Sequence, residues 1–347
     1  MALTSAVLRP ESVTFISPTT GWVLALSACA GAQCLRLAKT VDAGRSWRWV
    51  SGASMPALSK TTRWELRFAD AQDGWISGSL LFATHDGGRT WRRIAFPGAG
   101  TPNASVAALE AADGRVYAEI AEGTNGDTYG PVVLFGSLVG SDAWYRVPAV
   151  TTGAAGFAGG ISLAQGVFWV MLHPAIVMPQ GTRSQSALYR SLDGVTWRRG
   201  PLPCPAETVA AVAAATSSRV FVVCTDGFAA GSQGKSAYRS DNGGVTYVRV
   251  ADPPFEGDFE DVAASPTSVS VAAASGGTLI SASFDAGRTW TGTLNIGDGG
   301  LGLSDLGFTT ALQGVVIHGM ITYPQSFQLL MTRDGGHTWA TIAASPS

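Results

Sequence analysis

Six carboxylates crowd into two neighbouring stretches, with Glu256, Asp258, Glu260 and Asp261 inside six residues and Asp298 and Asp305 inside eight. Carboxyl groups about 5 to 9 Å apart are what glycoside hydrolysis requires, one as general acid and the other as nucleophile or base. Asp258, Glu260, Asp298 and Asp305 are therefore the catalytic candidates. Hard oxygen donors clustered in this way also suit calcium, and an acidic run that does neither is a solvated loop. Tyr129, Phe228, Phe255, Tyr323 and Phe327 sit in other turn-rich stretches where a ring could stack on a sugar. His173 and Arg183 fall in the same kind of stretch. Tyr129, His173, Arg183, Phe255 and Tyr323 are the ligand-binding candidates. A zinc site is not expected, because Cys29 and Cys34 are poorly spaced for one and His85, His173, His318 and His337 are scattered.

What must position these loops is a repeat. The octet Thr40 to Trp47 (T-V-D-A-G-R-S-W) returns at Thr84 to Trp91, Ser240 to Tyr247, Ser283 to Trp290 and Thr332 to Trp339, with a copy one residue shorter at Ser191 to Trp197. A degenerate G-S-D-A-W ends at Trp144. Successive aromatic ends are 43 to 53 residues apart, the period of one four-stranded propeller blade. Upstream of each octet a polar turn leads into an apolar run, as at Trp22, Trp75, Tyr117 and Trp169.

The pattern predicts an all-β chain folded as a single seven-bladed propeller of four-stranded antiparallel blades, with the octets between the third and fourth strands. The expected blades are 11–50, 63–96, 104–149, 158–201, 207–251, 260–294 and 304–344. Thr4 to Leu8 are expected to pair with the edge of the last blade. The turns of blades 3 and 5, which lack the full pattern, should be the loosest.

In such a turn the Asp carboxylate accepts backbone N–H groups, Gly supplies positive φ and Trp packs against the neighbouring blade. Asp42, Asp86, Asp193, Asp285 and Asp334, with Trp47, Trp91, Trp197, Trp290 and Trp339, are accordingly structural. The octets share one face with the turns between first and second strands. Any site is then expected on the opposite face, where long connections such as Thr225 to Ser236 would wall a cleft.

A net charge of −2 among 347 residues leaves no basic footprint for nucleic acid. No run approaches the ~20 apolar residues of a membrane-spanning helix. Cys204 precedes the first strand of blade 5 and Cys224 follows its second, so the two meet at one end of adjacent strands. Cys29 and Cys34 close a hairpin in blade 1. Two such bonds imply an oxidising compartment. A secreted or cell-surface monomer is expected, its export signal already removed, since Met1 to Leu8 lack the features of one.

The octet resembles the Asp-box, or bacterial neuraminidase repeat, S/T-x-D-x-G-x-T-W. The resemblance implies a sialidase-like propeller, but the R-I-P segment that supplies a sialidase arginine is missing. Arg9-Pro10 is the nearest substitute, with Arg63, Arg67 and Arg183 as other arginines of the second face. The G-W strand followed by T-x-D-G-G-x-T-W is also similar to photosystem II assembly-factor repeats and to the propellers of xyloglucan-cleaving hydrolases. L-P-C-P at Cys204 and A-A-G-S-Q-G-K-S at Lys235 resemble exported sialidase-like proteins of high-GC bacteria. The function expected is a non-catalytic binding propeller for a glycan or protein ligand. The alternative is a glycan-active hydrolase or lyase using the acidic loops, without true sialidase activity.

Overall fold

The computed structural model describes residues 9–29, 32–52, 55, 63–96, 104–123, 130–153, 155–178, 181–206, 208–228, 231–320, 323–342 and 346. The described residues form seven antiparallel sheets and contain no helix. The sheets span 9–49, 65–94, 105–151, 156–199, 209–249, 258–299 and 303–341, and are blades 1 to 7. Within each blade the strands are sequential neighbours, A to D from the inside outward. Blade 4 adds a short fifth strand, Gly181–Ser184, on the extension of its strand B.

The residue pattern explains this layering. Strand B of blade 1 reads Trp22-Val23-Leu24-Ala25 with every side chain fully buried, because both of its faces are covered by other blades. Strand D of the same blade is Arg48–Trp49, partly exposed at the rim. Seven apolar clusters fill the seven spaces between neighbouring blades. One of them joins Val13, Val23 and Trp47 of blade 1 to Val315, Ile317, Leu329 and Met331 of blade 7, so the ring closes by side-chain packing. Among the described residues no strand is exchanged between the first and last blades. Thr4 to Leu8 lie outside the described residues.

The octets sit between strands C and D. In blade 1 the Asp42 carboxylate accepts from the Thr40 hydroxyl (2.8 Å), the Ser46 amide (2.9 Å) and the Ser46 hydroxyl (2.6 Å). Asp86, Asp285 and Asp334 repeat the arrangement with their own Ser or Thr partners. Asp193 accepts from the amides of Val195 and Thr196 in the shorter copy. The Ser46 hydroxyl and amide, followed by Thr40, hold the Asp42 carboxyl down at about 2. Asn242 takes the Asp position in blade 5, with Oδ1 accepting amides and Nδ2 donating to Thr246. Trp47 and Trp197 are buried, whereas Trp91, Trp290 and Trp339 are half-buried.

In blades 1, 2, 5 and 7 the turn also ties to the A–B turn of its own blade, as in Ala43 N to Thr19 O (2.9 Å) and Gly335 N to Leu312 O (2.8 Å). Both kinds of turn therefore occupy one face, and the B–C and D–A connections occupy the other. Cys204 and Cys224 form a disulfide across the entry to blade 5. Cys34 is also disulfide-bonded, while the side chain of Cys29, its expected partner, lies outside the described side chains.

Candidate functional site

The seven inner strands enclose a central channel of about 750 Å³. Its wall is mostly small or apolar through blades 3 to 5, with Ala107, Ala108, Gly159, Gly160, Ala211 and Ala213. Charge gathers in the sector formed by blades 6, 7, 1 and 2. Six carboxyl groups stand there or just beside it, those of Glu11, Glu65, Glu110, Glu260, Asp261 and Asp305, against two guanidiniums, Arg63 and Arg67.

Irregular backbone aims several of these groups. Where strand A pairs with strand B, Pro10 opposes Ala25 and Ser12 opposes Leu24, so Glu11 is an extra residue. The same slip leaves Glu260 extra in blade 6, between Phe259 and Asp261. Asp305 lies inside the slip between Ser304 and Gly307 in blade 7 and takes a positive φ of 55°. A bulge leaves its residue out of the ladder and re-aims the side chain. Further slips fall at Ala107 in blade 3 and at Gly159 and Gly160 in blade 4.

Asp305 is the hub of this sector. Its side chain is 2% exposed and pairs with Arg67 (3.5 Å) and Arg63 (3.7 Å). Its Oδ2 accepts from Ser12 Oγ (2.5 Å) and Val13 N (2.9 Å), and Ser12 Oγ in turn accepts from Leu66 N (2.8 Å). Arg67 Nε donates to Glu110 Oε1 at 2.8 Å. Blades 7, 1, 2 and 3 are thus connected by one polar chain.

Asp298, expected in the connection into blade 7, instead closes strand D of blade 6. There it accepts from Thr278 Oγ1 (2.9 Å) and Gly300 N (2.9 Å) and bonds His318 Nε2. Asp258 opens strand A of blade 6, half-buried, and its Oδ1 has no hydrogen-bond partner among the described residues. Glu260 Oε2 accepts Leu303 N at 2.7 Å. Burial raises the Glu260 carboxyl to about 7 against the pull of that amide, and raises Asp261 to about 7 against the amide of Val262. Among the described residues no group of three or more His, Cys, Asp or Glu side chains is arranged to hold a metal ion.

His173 lies in strand B of blade 4 and is only 4% exposed, its Nδ1 bonded to Ser186 Oγ (3.0 Å). Burial lowers its pKa to about 4. Phe255 is 53% exposed. The carbonyls of Pro254, Phe255, Glu256 and Gly257 converge on the Lys235 ammonium at 2.7 to 3.2 Å, which anchors that loop. Arg183 and Tyr323 belong to strands whose side chains at these positions lie outside those described, and Tyr129 lies outside the described residues altogether.

Sequence reading passed over Glu11, Glu65, Glu110 and Glu119. It also counted His85 only among the scattered histidines. His85 bridges Asp73 Oδ1 (2.5 Å) in blade 2 and Asp142 Oδ2 (2.9 Å) in blade 3. Burial opposes its protonation, but the two carboxylates outweigh that and raise its pKa.

Glu119 has a measurable consequence. It is fully buried in strand B of blade 3 and accepts Gly160 N at 3.2 Å, and its Oε1 has no hydrogen-bond partner among the described residues. Burial raises it to about 8, opposed by the Gly160 and Gly159 amides. The folded state therefore holds a proton that the unfolded chain releases near pH 4.5, so this contribution is complete below that pH and is lost as pH rises through 8. Glu119→Gln is expected to melt like the wild type at pH 5 and above it at pH 8, by about 2 kcal/mol after allowance for relaxation. Parallel melting curves at pH 5 and 8 with equal differences would overturn this.

No protein-family model matches the chain, and no curated protein matches it. Solved structures share the fold. A structure of YCF48 bound to D1 peptide superposes with a TM-score of 0.59 at 17% identity, covering 95% of this chain and 94% of that one. YCF48 from Cyanidioschyzon merolae gives 0.59 at 14% identity, over 96% and 97%. A polysaccharide lyase of family PL25, an ulvan lyase bound to -[GlcA(1-4)Rha3S]-, gives 0.54 at 12% identity, over 97% and 96%. At such identities the likeness is one of fold. The seven-bladed propeller is common to binding proteins and to glycan-active enzymes, and fold alone does not choose between them.

Proposed function

We propose that the chain is a non-catalytic, exported binding propeller that receives a polypeptide segment at the channel mouth, on the face formed by the B–C and D–A connections. One observation carries this reading. Asp298 and Asp305, which would have to be free for acid and base work, are engaged in hydrogen bonds that join strands and blades. A rim of charge that is already tied together is a recognition surface rather than a pair of facing carboxyls. The peptide-bound state of the similar YCF48 fold supports a polypeptide as the ligand class, and the disulfide is compatible with an extracellular setting. Kinship with the Asp-box proteins is part of the same proposal, resting on the repeated octets and their shared turn geometry.

The test is a side-by-side exposure of the protein to a peptide array and a polysaccharide panel. Retention is read by fluorescence, and released fragments are read by mass spectrometry. Peptide retention without fragments is expected. Cleavage of a polysaccharide, abolished by Asp258→Asn or Glu260→Gln in folded protein, would replace this reading with the glycan-active one.

A further inference from the structure

We infer that a pocket beside the channel mouth, between Glu11 of blade 1 and Glu260 of blade 6, takes the ammonium group of a lysine side chain from the bound polypeptide. The inference deepens the polypeptide reading and rests on it.

The pocket encloses about 210 Å³ and is lined by Glu11, Arg63, Glu260, Gly302, Gly319 and Phe327, among others. Glu11 is 3% exposed, and neither carboxylate oxygen has a hydrogen-bond partner among the described residues. A carboxyl group removed from water and left without donors is costly. A fold that keeps such a group against an open pocket leaves its acceptors for a donor from outside. Glu260 adds a second carboxyl, with Oε2 engaged by Leu303 N and Oε1 lying against Gly302.

Space in the pocket depends on glycine. Gly302 has φ 91°, and a Cβ there would meet Glu260 Oε1 at 2.5 Å. A Cβ on Gly319, at φ 130°, would meet the Phe327 ring at 2.8 Å. Among the described residues the one cation on the wall is Arg63, drawn to Asp305 at 3.7 Å, and the described part of the sector carries more carboxyls than guanidiniums. Phe327 supplies an apolar wall for the methylene stem of a lysine. A compact ammonium with three rotating donors suits acceptors that come from two different blades, whereas a planar guanidinium favours two oxygens of one carboxylate.

Proton linkage follows from the same geometry. Burial raises Glu11 to about 7, opposed by Arg63, and raises Glu260 to about 7, opposed by Leu303 N and Arg63 and assisted by Asp298 and Asp258. An entering ammonium favours both ionised forms, so binding should release protons and strengthen between pH 6 and 8.

The experiment uses an array of random-sequence peptides printed twice, once with lysine and once with Nε-acetyl-lysine, and probed with the whole chain, Glu11→Gln and Glu260→Gln. Asp241→Asn on the opposite face is the control, and melting curves establish that each variant is folded. Acetylation and Glu11→Gln are each expected to weaken retention at least about tenfold, Glu260→Gln less, and the control not at all. Peptides retained equally after acetylation, or equally by folded Glu11→Gln, would sink the lysine pocket while leaving the polypeptide reading intact. Retention of polysaccharides and of no peptide would overturn both. Displacement of the lysine peptides by millimolar calcium with Glu11 intact would make the pocket a cation site and overturn the assignment.

Discussion

Asp305→Ala is expected to lower stability by about 3 to 5 kcal/mol, the usual consequence of removing one partner from a buried ion pair. Asp305 is 2% exposed and meets two guanidiniums from blade 2 and the hydroxyl and amide of Ser12 and Val13 from blade 1. Without it, Arg67 keeps its hydrogen bonds to Glu110 and the Leu66 carbonyl, and one of the polar links between the last and first blades is lost, leaving the bond from Arg333 to the Ala43 carbonyl (2.7 Å). Asp305→Asn retains the length and the acceptor for Ser12 and Val13, so it should cost less than half as much. Denaturant midpoints of both variants, with an Arg67→Met cycle, measure the effect. An alanine variant within about 1 kcal/mol of wild type would show that the Asp305 link is not needed to hold the ring closed.

The second large effect is expected from the Cys204–Cys224 bond. Its two ends are 20 residues apart, for which the chain-entropy model gives about 3 kcal/mol. Cys224 is buried opposite Ala210 in strand A of blade 5, and both cysteines adjoin the apolar cluster between blades 4 and 5. Reduction therefore frees the entry to blade 5 as well as loosening the unfolded-state constraint. The Cys204→Ala/Cys224→Ala variant should melt well below the oxidised wild type and match wild type melted in reductant under the same conditions. Equal melting temperatures for all three would refute this. Mass measurement with and without reduction checks independently that the bond forms in protein folded under oxidising conditions.

The rest of the fold was legible to different degrees. Trp22, Trp75, Tyr117 and Trp169 each announce a strand B, since a large ring flanked by β-branched or aliphatic residues needs burial on both faces, and all four are at most 1% exposed. The octets are similarly local, because their hydrogen bonds run between residues two to four apart. Blade 3 was the hardest to see. Its turn has lost the repeat, and Asp142 instead joins His85 and Arg92 of blade 2. A residue whose partners lie 50 or 57 positions away carries no spacing signal of its own.

The acidic stretches illustrate the other limit. Their carboxylates were visible as a cluster, but Asp298 and Asp305 are set apart by partners in other strands and blades. Glu11, the least accommodated carboxyl beside the channel, attracted no notice between Pro10 and Ser12. Whether a carboxyl is solvated, bonded or stranded depends on which way the chain turns it. That direction is set here by one-residue slips in pairing, at Glu11 against Ala25 and Leu24 and at Glu260 against Ala273 and Ala272.

The sequence by itself determined the repeat, the number of blades, the order of strands and the pairing of Cys204 with Cys224, because each rests on local turn chemistry or on burial periodicity within about 50 residues. Only the tertiary structure decided which charged groups meet at the channel mouth. Their neighbours come from opposite ends of the chain, as with Ser12 and Asp305 at 2.5 Å, and long-range electrostatic partners are fixed by ring closure and bulges rather than by any pattern along the chain.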